Sequence, residues 1–112
     1  MDYYAGLGLD RPLIMGVVNV TPDSFSDGGE TFDHKKAIER GIKQINEGAD
    51  IIDVGGESTR PGSTPIPLEE EITRVLPVVI ALAKQGIIVS VDTRKAQVMK
   101  EAVIGGAKII ND

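Results

Sequence analysis

The residues best suited to chemistry are polar side chains that follow apolar segments at four places in the sequence. Asn19 directly follows the apolar run 13–18 and begins the segment Asn-Val-Thr-Pro-Asp-Ser-Phe-Ser-Asp-Gly-Gly. The other three clusters are Glu57-Ser58-Thr59, Asp92-Thr93 and Asn111-Asp112. Polar loops at the carboxyl ends of parallel strands hold the binding and catalytic groups of many α/β proteins. The pattern therefore indicates a site assembled from carboxamides, carboxylates and hydroxyls.

Several other kinds of site are not supported. Gly55-Gly56 lacks the G-x-G-x-x-G spacing of a dinucleotide-binding turn, and the sequence contains no Walker A loop and no cysteine. The single histidine, His34, is expected to be a solvated surface residue, because a metal site would need partner ligands. Asp53, inside an apolar segment, is either a structural carboxylate satisfied by partners or a site residue. The structural role is favoured because buried carboxylates need partners.

Apolar runs and turn residues predict the elements that position these clusters. Strands are expected at 13–18, 51–54, 87–91 and 107–110, the first of them buried because no polar residue interrupts it. Residues 1–12 are expected to form a small cover or hairpin. Three helices are expected between the strands, ending near Gly48, Gly86 and Gly105-Gly106. Pro77 predicts a kink or restart in the second helix.

Each helix has a predicted apolar face. The faces consist of Ile38, Ile42 and Ile45; of Ile72, Val75, Leu76, Val79, Ile80 and Ala83; and of Val98, Met99, Ala102 and Val103. The resulting βαβαβαβ order requires a parallel sheet with right-handed crossovers. All four polar clusters then lie at one edge, the active-site face of a (β/α)₈ barrel or of an open doubly wound sheet.

Composition narrows the function classes. The net charge of −5 argues against nucleic acid and against an anionic membrane surface as the main partner. The start, Met1-Asp2-Tyr3-Tyr4, does not resemble a signal peptide, and the apolar runs are too short to span a bilayer. A cytoplasmic protein is expected.

Four segments, in this order and spacing, resemble the dihydropteroate synthase family across essentially the whole chain. They are NVTPDSFSDGG (19–29), GGESTRPG (55–62), SVDT (90–93) and IIND (109–112). The resemblance implies a transferase of folate biosynthesis and a target of sulfonamides. Such an enzyme condenses 6-hydroxymethyl-7,8-dihydropterin pyrophosphate with p-aminobenzoate to give 7,8-dihydropteroate and pyrophosphate. It also implies a (β/α)₈ TIM-barrel fold, of which residues 1–112 would supply the N-terminal half, the first four βα units.

The resemblance also implies roles for individual residues. Asn19 matches the residue that meets Mg²⁺ bound to the substrate pyrophosphate, and an amide oxygen suits this hard cation. Thr59 matches a contact on the pyrophosphate side of the substrate. Asp92 and Asn111 match pterin-ring contacts. These side chains suit that role, since a carboxylate can accept two N–H groups from an aminopyrimidine edge and a carboxamide both donates and accepts.

Four further residues fall in the two loops that, in the family, close over the site and shape the aminobenzoate pocket. Asp27 and Arg60 are the expected catalytic residues, and Arg60 would handle an anion as the one cation of these loops. Phe25 and Pro61 are the expected aminobenzoate contacts.

The chain differs from the family in length. A full barrel typically has roughly 250 residues, so the 112 residues are expected to be inactive alone and to form a homo-oligomer. Two alternatives remain open. One is the pterin-binding domain of a corrinoid-dependent methyltransferase, although the STRPG and SFSDGG loops favour the synthase. The other is a non-catalytic half-barrel module that assembles with a copy of itself or with a missing half.

Overall fold

The structure, a computed structural model, describes residues 3–4, 7–8, 12–20, 34–56 and 66–111. The elements in chain order are β1 (Tyr3–Tyr4), β2 (Leu7–Gly8), β3 (Met15–Asn19), α1 (His34–Asn46), β4 (Ile51–Gly55), α2 (Leu68–Lys84), β5 (Ile88–Asp92), α3 (Ala96–Ile104) and β6 (Ile109–Asn111). The predicted strands and helices are therefore confirmed. The expected N-terminal hairpin is also present, because β1 pairs with β2 in antiparallel fashion.

The main sheet has four strands in the order β3-β4-β5-β6, and all neighbours are parallel. Spatial order thus follows chain order without reversal. A doubly wound sheet reverses its strand order at a switch point, whereas a (β/α)₈ barrel adds successive strands in one direction. The arrangement is that of four consecutive barrel strands and the three helices that connect them.

Glycines in the left-handed region end the helices, as the sequence predicts. The φ angles are +114° at Gly48, +82° at Gly86 and +117° at Gly106. A glycine adopts this conformation without the steric cost that a Cβ atom would bring, so each helix can stop and the chain can turn back towards the sheet.

The core lies between the helices and one face of the sheet. Val18, Val54 and Val91 are fully buried there, and Ile110 packs against the same cluster. These residues occupy one register row, since Val18 pairs with Val54, Val54 with Val91, and Val91 with Ile110. The helices therefore cover this face of the sheet.

The buried face of α2 differs from the predicted one. Of the predicted residues only Val75 and Val79 are fully buried, and they are joined by Val78 and Leu82. Ile72 and Ala83 are partly buried and pack against the core, and Ile72 also lies with Leu76 against Val98 and Ala102 of α3. The helix packs against both the sheet and a neighbouring helix, so its apolar residues divide between two directions. On α3 the prediction for Val103 is wrong, because this side chain is 54% exposed.

The first strand of the sheet is less buried than its sequence predicts. Val18 is buried, but Met15 is 44% exposed and Val17 is 52% exposed. Among the described strands, only β4 pairs with β3, so β3 is an edge. An uninterrupted apolar run predicts a strand with two covered faces, and here one face of β3 is open to solvent.

α2 continues through Pro77 as one helix from Leu68 to Lys84, so of the two predicted outcomes, a kink or a restart, the restart does not occur and the kink stays a prediction. In the part of the chain that the structure describes, no helix has both the length and the apolar character needed to cross a bilayer.

Candidate ligand-binding site

The last residues of the four parallel strands form one row across the sheet. Asn19 pairs with Gly55, Gly55 with Asp92, and Asp92 with Asn111. Residues in register on adjacent parallel strands project to the same face of a sheet. Three of the predicted site residues, Asn19, Asp92 and Asn111, are therefore brought together, as their positions at strand ends predict.

This row faces away from the helices. The preceding residue of each strand belongs to the core row of Val18, Val54 and Val91, and successive side chains of a strand alternate between faces. The row Asn19-Gly55-Asp92-Asn111 is thus on the face that would line the interior of a barrel. Asn19 and Asn111 are exposed there, and Asp92 is half-buried.

Gly55 leaves a slot between two of these polar side chains. A Cβ atom built on Gly55 would lie 3.7 Å from Oδ1 of Asn19 and 3.6 Å from Cβ of Asp92. Position 55 carries no side chain, so at this slot only backbone lies between the Asn19 amide and the Asp92 carboxylate, and Gly55 itself is buried. A flat ligand edge can rest there with hydrogen-bonding groups on either side.

Backbone hydrogen bonds extend the sheet one residue beyond this row on both sides of the slot. The N–H of Val20 donates to the carbonyl of Gly55 at 2.7 Å, and the N–H of Thr93 donates to the carbonyl of Asn111 at 3.2 Å. The polar residues are therefore carried by regular sheet, which holds side chains more rigidly than a free loop does.

A second polar pair lies one layer below on the same face. Asp53 and Ser90 are in register, 5% and 0% exposed. Oδ1 of Asp53 and Oγ of Ser90 have no hydrogen-bond partner among the described residues. The described residues therefore do not supply the partner that the favoured structural role of Asp53 requires for this oxygen. Buried polar atoms are normally paired, so these two atoms add acceptor capacity beneath the slot.

A network of charged residues lies behind the strand ends, and the sequence analysis missed it. Glu71 of α2 accepts from Oγ1 of Thr93 and from Nζ of Lys95, both at 2.6 Å. Nη1 of Arg74 donates to the carbonyl of Gly56 at 2.8 Å, and Nη2 pairs with Glu70 at 2.8 Å. The sequence feature that could have revealed the burial of Glu71 is its spacing. Position 71 lies on one helical stripe with positions 75, 78 and 82, which are buried valine or leucine residues.

His34 is not the solvated surface residue that the sequence predicts. The residue is half-buried, and Nε2 of its ring lies 2.8 Å from the carbonyl oxygen of Thr73 in α2. The histidine therefore links the start of α1 to α2.

The remaining predicted site residues lie outside the described residues: Phe25, Asp27, Thr59, Arg60 and Pro61. Within the described ranges, no three acidic, histidine or cysteine residues cluster as metal ligands. Asn19 remains a candidate metal ligand for a cation that is bound mainly by the phosphates of a small molecule. Mg²⁺ commonly binds in this way, through one or two protein oxygens together with phosphates and waters.

Residues 15–112 match the family described as pterin binding enzyme. The dihydropteroate synthase of Bacillus subtilis is 52% identical over 104 residues, which are 92% of this chain and 36% of that protein. The Xanthomonas albilineans dihydropteroate synthase, solved with 4-aminobenzoic acid, superposes with a TM-score of 0.86 at 55% identity, covering 96% of this chain and 41% of that one. The Burkholderia cenocepacia enzyme, complexed with 7,8-dihydropteroate, gives 0.81 at 45% identity, covering 95% and 34%.

The chain thus spans 36% of the Bacillus subtilis protein and 41% of the Xanthomonas albilineans chain. The family match covers β3 to β6 and includes all four residues of the row at the strand ends. By sequence and by fold, the chain belongs to the pterin binding enzyme family.

Proposed function

We propose that this chain supplies the pterin-binding side of a dihydropteroate synthase. The observation that carries the proposal is the row of Asn19, Gly55, Asp92 and Asn111 at the carboxyl edge of the sheet. The relatives named above, which are dihydropteroate synthases, support the synthase over a corrinoid-dependent methyltransferase.

Asp92 and Asn111 suit the aminopyrimidine edge of a pterin. A carboxylate is an acceptor only, and it can receive two adjacent N–H groups, whereas a carboxamide both donates and accepts. Asp92 and Asn111 are register neighbours, so one planar edge can contact both. In this proposal the ring lies over the slot at Gly55, where no side chain obstructs it.

Asn19 is the proposed protein ligand of Mg²⁺ on the pyrophosphate of the substrate. Its Oδ1 borders the slot at Gly55, so Asn19 would hold the cation at this edge of the site. The ion supplies charge neutralisation of the departing pyrophosphate. Binding through a single amide oxygen agrees with the lack of a three-residue acidic cluster in the described part of the chain.

Five further roles are carried over from the resemblance alone. Thr59 would donate its hydroxyl on the pyrophosphate side, and Arg60 would bind an anion. Asp27 would take part in catalysis, and Phe25 and Pro61 would shape the pocket for p-aminobenzoate. Sulfonamides, as analogues of p-aminobenzoate, would compete for that pocket.

The reaction is a displacement at the exocyclic methylene carbon of the pterin. The bond from this carbon to the pyrophosphate oxygen breaks, and the electron pair leaves with the pyrophosphate. The amine nitrogen of p-aminobenzoate forms the new bond and loses one proton, which the departing pyrophosphate can accept. Asp92 and Asn111 hold the ring while positive charge develops on the methylene carbon, and no covalent enzyme intermediate is required.

The activity is proposed for a completed barrel. The 112-residue chain alone is expected to form no dihydropteroate, and a cytoplasmic homo-oligomer is the proposed state. The non-catalytic half-barrel module would predict the same oligomer but no contribution to turnover in a completed barrel.

A hybrid enzyme tests the proposal. In this hybrid, the chain replaces the matching segment of the Bacillus subtilis enzyme, to which it is 52% identical. The proposal predicts that the hybrid converts the dihydropterin pyrophosphate and p-aminobenzoate to dihydropteroate, measured by chromatography. A folded hybrid that makes no product would refute it, with the unmodified Bacillus subtilis enzyme as the positive control.

A further inference from the structure

Glu71 is a buried carboxylate that the proposed function does not use. Its side chain is 1% exposed, although it lies in the first turn of α2 beside the solvated Glu69 and Glu70. Burying a carboxylate is costly unless it is paired and hydrogen-bonded. Both carboxylate oxygens of Glu71 are bonded at 2.6 Å, one by the Thr93 hydroxyl and the other by the Lys95 ammonium.

Thr93 connects this carboxylate to the site. The threonine follows Asp92 in the chain and is itself buried. Its Oγ1 donates to Glu71 and accepts from the N–H of Lys95 at 3.2 Å, and its own N–H donates to the carbonyl of Asn111. Three hydrogen bonds therefore fix the residue immediately after Asp92, and the one to Glu71 is charge-assisted.

Arg74 makes a corresponding contact at the next strand. Glu71 and Arg74 are three residues apart and hence neighbours on one helix face. Glu71 holds Thr93, the residue after Asp92, while Arg74 holds the carbonyl of Gly56, the residue after Gly55. The two strand ends that border one side of the slot are thus both attached to the start of the same helix.

We infer that Glu71 is a positioning residue for ligand binding: through Thr93 and Lys95 it sets the orientation of the Asp92 carboxylate at the slot. This inference rests on the proposed function, because it assigns Asp92 to the pterin. A role in stability alone would predict that loss of the Glu71 charge lowers the free energy of unfolding and leaves the affinity of the folded protein unchanged.

The test uses the hybrid enzyme and two matched pairs of variants. Glu71→Gln removes the charge and turns an N–H₂ group towards a donor, and Glu69→Gln is the control on the exposed side of the same turn. Thr93→Val removes the hydroxyl at nearly constant shape, and Thr93→Ser keeps it. The Kd of the dihydropterin pyrophosphate and the KM of p-aminobenzoate are measured for variants that circular dichroism shows to be folded.

The inference predicts pterin binding weaker by about tenfold in Glu71→Gln and in Thr93→Val, since each loses a charge-assisted hydrogen bond. Glu69→Gln and Thr93→Ser should stay within about twofold of the parent, and the KM of p-aminobenzoate should change little in all four. If Glu71→Gln does not fold, the comparison of Thr93→Val with Thr93→Ser tests the inference by itself.

Unchanged pterin affinity in folded Glu71→Gln or in folded Thr93→Val would overturn the inference, and so would an equal loss in Thr93→Ser. Asp92→Asn separates this failure from that of the proposed function. If Asp92→Asn weakens pterin binding while the Glu71 and Thr93 variants do not, only the positioning role fails. If Asp92→Asn has no effect, the assignment of Asp92 to the pterin fails as well.

Discussion

Nε2 of His34 lies 2.8 Å from the carbonyl oxygen of Thr73, four residues before Pro77 in α2. Within a helix this carbonyl would accept from the N–H of residue 77, but proline has none. A carbonyl can only accept, so Nε2 of His34 carries the proton. The histidine thus replaces the helical hydrogen bond that Pro77 removes, and it does so from the start of α1.

His34→Ala should therefore lower the free energy of unfolding by about 1 kcal/mol, the usual net contribution of such a hydrogen bond to stability. The loss should be smaller in a Pro77→Ala background, where residue 77 regains an N–H for Thr73. Urea titration of the single and double variants measures this coupling, with Lys35→Ala as the control at the neighbouring exposed position. Strictly additive effects would show that the two residues do not share the Thr73 carbonyl.

Several features were predictable because they depend on local pattern. Apolar runs ending at turn residues predicted the strands, and the βαβ order predicted that Asn19, Asp92 and Asn111 share one edge. The burial of Glu71 and Arg74 was not predicted, since acidic and basic residues near a helix start are usually solvated, and only packing against Thr93 and Gly56 reveals their contacts.

Burial of the first strand was overestimated for a related reason. The run 13–18 predicts strand structure, but a sequence does not say whether another element covers both faces. Met15 and Val17 of β3 are therefore apolar and still exposed. The roles of Asp27 and Arg60 stay predictions, because these residues lie outside the described part of the chain.

Gly55→Ala should weaken ligand binding without disturbing the fold. The added Cβ would meet its neighbours at 3.6 Å or more, which is ordinary van der Waals contact, so the fold should persist. The methyl group would occupy the slot between Asn19 and Asp92 and should weaken pterin binding by about tenfold in the hybrid. Titration calorimetry measures the Kd. A Kd within twofold of the parent would show that the ligand does not rest over Gly55.

Gly56→Ala should instead damage the fold. A Cβ at position 56 would lie 2.7 Å from Cγ2 of Val75, which is 1% exposed, and 3.3 Å from Cβ of Arg74. Overpacking of this kind costs about 1–3 kcal/mol. Urea unfolding of the chain should show this loss, and Gly55→Ala, one residue away, is the matched control. Equal stability of the two variants would mean that α2 does not pack closely on Gly56.

The exposed face of β3 should mediate self-association of the isolated chain. Met15 and Val17 share this face with Asn19, and exposed apolar edge strands promote pairing between copies. Sedimentation velocity at micromolar concentration should show dimers or larger species, and Val17→Lys should shift them towards monomer. Ile104→Lys, which replaces a residue 72% exposed on α3, is the control and should change little. A compact monomer of the unmodified chain would contradict this expectation.

The most direct test of the central claim is the affinity of the hybrid enzyme for the dihydropterin pyrophosphate, measured by titration calorimetry for the parent, Asp92→Ala and Asn111→Ala. Each substitution leaves ring hydrogen-bonding groups unpaired, which should cost about 1–3 kcal/mol of binding free energy. Glu47→Gln, at an exposed position after α1, should bind like the parent. A clear loss in both alanine variants with an unchanged control is the predicted result. Parent-like affinity in both variants would contradict the assignment of this row to the pterin.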